Sequence, residues 1–300
     1  MNAWGSVVFC LVVFSLLTEA KAAAPVDWLK TVAPEFEGKQ FAPQLMMAPR
    51  LRHLWRSEEV EKVMTLAKRN GFDGIHIYVD TDWFSFEAEN FEEIDSKELN
   101  IECWRRLENV RAHCVRDNLH LHVWIWGDVD NRLHPQVNWG RKSAVEESVY
   151  REINDRFAGK SHITFGLGWD LKEFLPLEEA KWVTDRLRVP FSMRHPEGFY
   201  NPLAEIPSLQ HRNPSDEDLV AFAQKYTAAP MIISEDRFRD RPWRKVTDGN
   251  IPMRRQMEIY RLCKTLGITA IYGLIRDSDE DQEFGSRDYP QEWRDYVFSL

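Results

Sequence analysis

Two acids close apolar runs in the same way: Asp170 ends "HITFGLGWD", and Glu235 follows the strand-like "PMIIS". A lone acid in such a place can be no more than a helix cap, and Asp170 could cap the segment from Leu171. A pair opens other chemistry. Two carboxyl groups facing one substrate can cleave a glycosidic bond, one protonating the departing oxygen while the other attacks the anomeric carbon or activates a water. A low-dielectric wall and mutual repulsion would hold one of them protonated near neutral pH. Arg237 stands two residues past Glu235 and, as its ion partner, would keep that carboxylate charged. Trp83, Trp126 and Trp169 offer flat apolar faces of the kind a sugar ring stacks on, with core packing as their alternative use.

Such a pair needs a scaffold that brings distant residues to one opening. Apolar strand-like runs recur at Gln44–Ala48, Gly74–Asp80, Leu119–Gly127, His162–Trp169, Pro190–His195, Ile206–His211, Pro230–Glu235 and Ile268–Leu274. Between them lie segments of helical period: Ser57–Asn70, Ser96–Asn118, Lys142–Ala158, Leu177–Arg188, Ser215–Tyr226, Pro252–Leu266 and Tyr289–Ser299. Ser57 is a candidate cap, Gly71 a left-handed stop, and Ser215 with its following acids a helix start. No helix is legible between Pro196 and Glu205. Strands alternating with helices imply parallel βαβ units, and eight of them imply a single-domain (β/α)8 TIM barrel. An open doubly wound sheet is the alternative, but no G-x-G-x-x-G follows the first strand.

In such a barrel the chemistry sits at the C-terminal strand ends. Those ends carry Arg50; Asp80 and Asp82 with Trp83; Trp126 and Asp128; Asp170; His195; His211; Glu235, Asp236 and Arg237; and Tyr272. The fourth and seventh strands face each other across the opening, which brings Asp170 opposite Glu235. A rival reading starts from "LHLHVWIW", where His120 and His122 share a strand face as metal-dependent barrel hydrolases require. They lie at the beginning of the strand, about 13 Å below its outlet at 3.3 Å per residue, and are expected to pack near the barrel floor. There is no phosphate-binding loop and no G-x-S-x-G elbow.

The chain has 300 residues, with 39 Lys+Arg against 48 Asp+Glu and a net charge of −9. That balance argues against nucleic acid or an anionic membrane as partner. The N-terminus contains an apolar run, Val7–Leu17, followed by Ala20-Lys21-Ala22. It reads as a secretory signal peptide over residues 1–22, cleaved near Ala22 to Ala24, with residues 23–300 as the catalytic domain and the product secreted or periplasmic without a membrane anchor. Of the remaining cysteines, Cys103 and Cys114 fall in one helical segment, roughly 16 Å apart at 1.5 Å per residue, too far for a disulfide. The oligomeric state is open.

Four stretches carry a resemblance: "RLRHLWRSEEVEKVMTLAKRNGFDGIHIYV", "FGLGWDLKEFLPLEEAKWVTDRLRVPFSMRHPEGFY", "PMIISEDRFRDRPW" and "IPMRRQMEIYRLCKTLGITAIYGL". In order and spacing, over most of residues 44 to 275, they resemble the apiosidase-like family of (β/α)8 barrels, a group assigned as secreted glycoside hydrolases. The resemblance implies action on plant- or algal-type polysaccharide side chains, and the hydrolase expected here needs no metal or organic cofactor. It implies Asp170 as general acid/base and Glu235 as nucleophile or base, with "RHPEG" nominating His195 and "IYGL" nominating Tyr272 for the substrate site, beside His211 and Arg237 at their strand ends. The larger clan carries Asn-Glu at the fourth strand, where this chain has Trp169-Asp170; an Asp is one methylene shorter, so retention and inversion both stay open. A carbohydrate-binding barrel without catalysis and a metal-dependent barrel hydrolase are the alternatives.

Overall fold

The computed structural model describes residues 42–48, 51, 54, 56–79, 101–125, 144–167, 177–193, 206, 208–210, 214–225, 231–233, 253–272 and 289–300. Among the described residues eight strands follow the order the apolar runs predict, with a helix after each except the fifth. They are β1 (Gln44–Met47), β2 (Gly74–Val79), β3 (His120–Ile125), β4 (Ile163–Leu167), β5 (Phe191–Met193), β6 (Ser208–Gln210), β7 (Met231–Ile233) and β8 (Thr269–Tyr272). The helices are α1 (Ser57–Arg69), α2 (Ile101–Asp117), α3 (Ala144–Phe157), α4 (Leu177–Thr184), α5 (Asp216–Lys225), α6 (Met253–Leu266) and α7 (Gln291–Ser299).

All strand pairs are parallel, and the sheet runs β5-β4-β3-β2-β1-β8-β7-β6. A further parallel bridge joins Ser192 of β5 to Ile206, just ahead of β6. The register fixes the faces. Met46 pairs with Ile75 and with Tyr272, and Leu121 with Ile163, so these side chains point the same way. They join Ile77, Val123, Phe165 and Ala270 in the core that packs under the helices. Because strand side chains alternate, the opposite face carries Leu45, Met47, His76, His120, His122, Trp124, Thr164, Gly166, Ser192, Thr269 and Ile271. It is the more polar of the two and fully buried, none of these side chains exceeding 6% exposure.

Helix ends follow local chemistry. At α5 the Asp218 N–H donates to Ser215 Oγ at 3.1 Å while the Ser215 N–H donates to Asp218 Oδ2 at 2.9 Å, a reciprocal box that satisfies two donors. At α1 the reach-back comes from Glu59, whose carboxylate accepts from the Arg56 N–H at 3.0 Å; Ser57 is the first helical residue and not the cap. That helix stops at Asn70 and Gly71, and Gly71 has φ +78°, a conformation that favours glycine. The buried Asn70 amide donates to the Leu66 carbonyl at 2.8 Å, and its Oδ1 accepts the Tyr289 N–H at 3.0 Å. The Asn70 carbonyl also accepts from Trp293 Nε1 at 3.0 Å. One residue thereby caps α1 and docks α7.

The seam between the first and last strands is polar and saturated. Gln44 Nε2 donates to the Ala42 and Ile268 carbonyls at 2.9 and 2.8 Å, its Oε1 accepts from Tyr272 OH at 2.8 Å, and its N–H donates to Asp73 Oδ2 at 3.0 Å. Gly74 is required beside this seam, because a Cβ there would run into the His120 carbonyl. Behind the seam Phe72, Tyr260, Tyr272, Tyr289 and Trp293 pack ring against ring at centroid distances of 5.0 to 6.3 Å.

Candidate functional site

The strand face turned away from the helices gathers the polar residues of β2 to β5. His120 opens β3 opposite Gly74, the first residue of β2, and His122 lies opposite both His76 and Thr164. Thr164 Oγ1 is 2.9 Å from His120 Nε2 and 2.9 Å from His122 Nδ1. The His122 ring stacks on His76 at 5.3 Å between centroids, and Trp124 stands edge-on to both, at 6.1 Å from His76 and 6.3 Å from His122. Above Thr164 the strand has Gly166, whose missing side chain admits these neighbours. A Cβ there would meet His122 Nε2 at 2.9 Å, Trp124 Cε2 at 3.0 Å and Ser192 Oγ at 3.1 Å.

Burial governs the electrostatics of this layer. Removing an imidazolium from water disfavours the charged form, so the His76 pKa falls from 6.5 to about 3. His122 is pushed well below its usual range by burial, and further by His76 and His120. His76 and His122 are therefore neutral at physiological pH. His120 and His122 each turn a nitrogen to one hydroxyl. Among the described residues no group of three His, Cys, Asp or Glu side chains is placed to hold a metal ion.

Most of the residues predicted for the site lie outside the described residues: Asp170 and Glu235, and with them Trp83, Trp126, Trp169, His195, His211 and Arg237. Tyr272 is described, and its assignment to the sugar-binding surface is corrected. Its register partner is Met46, which puts it on the helix-facing side of β8. The ring is 2% exposed within the aromatic cluster, and the hydroxyl is committed to Gln44. Burial pushes its pKa well above that of free tyrosine. The opposite face of β8 presents Ile271 instead. His76, Thr164 and Ser192 were not singled out from the sequence, although all three sit on the face that holds His120 and His122. An imidazole in "IHI", flanked by apolar residues on a strand, is the signal that could have found His76.

The cysteines are structural. Among the described residues Cys103, Cys114 and Cys263 are buried and form no disulfide with one another, and burial pushes the Cys263 thiol up to about 12. A groove of about 440 Å³ runs along the helical rim by Glu147, Arg151, Asn154, Asp155, Arg186 and Arg188, away from the strand face that holds the histidines. No helix among the described residues is long and apolar enough to cross a membrane.

No protein-family model matches the sequence, and no curated sequence matches it. Solved structures share its fold. A protein from Bacteroides vulgatus ATCC 8482, provisionally described as a glycoside hydrolase, superposes with a TM-score of 0.65 at 15% identity, over 86% of this chain and 57% of that one. A family 5 glycoside hydrolase from the same organism gives 0.52 at 12% identity, over 77% of this chain and 58% of the other. The endo-β-1,4-mannanase of Thermotoga petrophila gives 0.52 at 10% identity, over 88% and 77%. The chain thus spans less than two thirds of the length of the first two. Its parallel α/β fold is one that glycoside hydrolases adopt.

Proposed function

We propose that this chain is an exported glycoside hydrolase, built as a closed (β/α)8 barrel of the apiosidase-like kind, that cleaves glycosidic bonds of a polysaccharide or its side chains. Asp170 is the general acid/base and Glu235 the nucleophile or base. The observation that carries the reading is the strand order. The bridge from Ser192 to Ile206 would close the sheet between β5 and β6, and closure sets the outlets of β4 and β7 on one rim. Asp170 follows Gly166 by four residues and Glu235 follows Ile233 by two. Both are even spacings from residues of the histidine-bearing face, so alternation, if continued, would aim both carboxylates into one opening. The similarity of fold to glycoside hydrolases supports the same assignment.

Trp126 continues the inward series His120, His122 and Trp124, and would form a platform for a sugar ring. Trp83, Trp169, His195, His211 and Arg237 complete the proposed subsite, and the partner is carbohydrate, with no metal or organic cofactor required. Secretion rests on the N-terminal apolar run. The test is a screen of the purified mature chain against polysaccharides and aryl glycosides, with Asp170→Asn and Glu235→Gln in parallel. Each substitution should lower kcat by about 10²- to 10⁴-fold, the usual worth of a general acid–base group. Activity undiminished in both variants would overturn the assignment, and sugar binding without turnover in any chain would identify a silent carbohydrate-binding barrel.

A further inference from the structure

Asn154 of α3 fixes the turn that follows α4. Its amide donates to the Arg186 carbonyl at 2.5 Å, and its Oδ1 accepts the Arg188 N–H at 2.7 Å. Held in this way, the turn buries Leu187 and leaves Arg188 exposed and Arg186 partly so. The Arg186 guanidinium lies 3.9 Å from the centroid of the Trp182 ring, and its Nη1 donates to the Trp182 carbonyl at 3.1 Å. Trp182 stands edge-on to the buried Tyr150, with 6.0 Å between centroids. Stacking and that bond set the plane of the fork, while Arg186 Nη2 has no hydrogen-bond partner among the described residues. Arg151 and Arg188 complete the cationic side of the same groove of about 440 Å³. Arg151 meets only Ser148 Oγ, at 3.5 Å, and the Arg188 guanidinium meets no acid among the described residues. The carboxylates of the groove are Glu147, 3.5 Å from Arg186 Nε, and Asp155. Three guanidinium groups thus face two carboxylates, a local positive excess on a chain whose net charge is −9.

We propose that this groove, between α3 and the turn after α4, is a second carbohydrate site on the outer helical layer, and that it binds the carboxylate or sulfate group of an acidic glycan. A guanidinium fork meets either oxyanion with paired N–H donors, and one whose plane is already fixed loses less freedom on binding. The volume falls within the range of about 300–1,000 Å³ usual for small-ligand sites, enough for a short glycan segment. Glu147 and Asp155 then serve as acceptors for sugar hydroxyls. The same two acids, with the net negative charge, disfavour a long dense polyanion such as nucleic acid. That a glycan carries the anion rests on the glycoside hydrolase reading; the basic groove itself does not. Anchoring one part of a polysaccharide here would raise the effective concentration of the remainder at the enzyme.

The test is calorimetric titration of the full mature chain with a galacturonic acid tetramer, a sulfated galactose tetramer, the neutral galactose tetramer and inorganic sulfate. Binding of either acidic tetramer in preference to the neutral one supports the site, and the tetramer that binds identifies the anion. Arg186→Gln should raise that Kd about tenfold, the worth of one charge-assisted hydrogen bond, and Arg188→Gln by a similar factor. The Arg188 guanidinium supports no contact among the described residues, so its variant still decides the matter if loss of the Trp182 stack unfolds the Arg186 variant. Asp170→Asn should leave the Kd unchanged. A Kd moved by Asp170→Asn and by neither arginine substitution would place the glycan in the catalytic opening and overturn the proposal. So would failure of both acidic tetramers to bind, or equal binding of the neutral tetramer or of inorganic sulfate. Titration reads binding without turnover, so a chain with no glycosidase activity would refute the catalytic assignment and leave this site standing.

Discussion

Acid should weaken this protein well before its carboxylates are neutralised, and His76 permits the size of the effect to be worked out. Its folded pKa is about 3 because the ring is buried, whereas an unfolded chain gives histidine about 6.5. The unfolded state therefore binds more protons throughout the interval between these values. The stability that depends on a neutral His76 is complete above pH 6.5 and is lost as the pH falls toward 3. By linkage the loss is about 2 kcal/mol at pH 5 and about 4 kcal/mol by pH 3. The first figure is already a sizeable part of the 5–15 kcal/mol typical of a domain. His122 shifts in the same direction and adds to it. Asp117, which its hydrogen bond to Arg116 holds below the usual carboxylate range, contributes only below about pH 4, outside the window from pH 7 to 5. Urea denaturation at pH 7, 6 and 5 measures the slope, and His76→Phe retains a ring against His122 while removing the titration. The variant should lose about 2 kcal/mol less than wild type between pH 7 and pH 5. Identical pH dependence in the two proteins, or a wild type as stable at pH 5 as at pH 7, would refute the reasoning.

Three other outcomes follow from particular contacts. Tyr272→Phe should leave the turnover of folded protein unchanged, because the hydroxyl serves Gln44, while lowering stability by about 1–2 kcal/mol for the lost buried hydrogen bond; steady-state kinetics beside a melting curve separates the two. Asn70→Leu removes the acceptor of the buried Tyr289 N–H, while the Leu66 carbonyl keeps the backbone N–H of residue 70, and denaturant titration should show a loss of about 1–3 kcal/mol, the desolvation penalty of the one orphaned group. A chain without residues 1–22, and so without Cys10, should fail to react with a thiol reagent near neutral pH and react fully in denaturant, since Cys103, Cys114 and Cys263 are buried.

How far the sequence could be read depended on the kind of signal. All eight strands were visible because a buried parallel strand is apolar on both faces and reads as an unbroken run. The same property hid the faces. In "TAIY" every residue is apolar or aromatic, so nothing local says that Ile271 faces the histidines and Tyr272 the helices; the register with Met46 decides it. His120 and His122 declared themselves by spacing, and their burial at the start of β3 agrees with the floor position expected of them. Thr164 and Ser192 could not be recognised, because a single hydroxyl in a strand acquires meaning only from what two neighbouring strands bring to it. Helix ends were legible where the capping chemistry is contained in four residues, as at Ser215 and Asp218, and less so at Ser57, where the reach-back carboxylate lay two residues further on.

The seam around Gln44 bears on how the molecule can be made. Its amide bridges to Ile268 and Tyr272, positions 224 and 228 residues later in the chain. During synthesis the first strand must therefore wait, with an unpaired edge, until the eighth has left the ribosome. Contacts of such long range make this pairing late and slow, and a nascent chain halted before residue 269 lacks the strand that pairs with β1 on that side. Assembly of this protein is expected to rely on chaperones that shield exposed strands until translation is nearly finished.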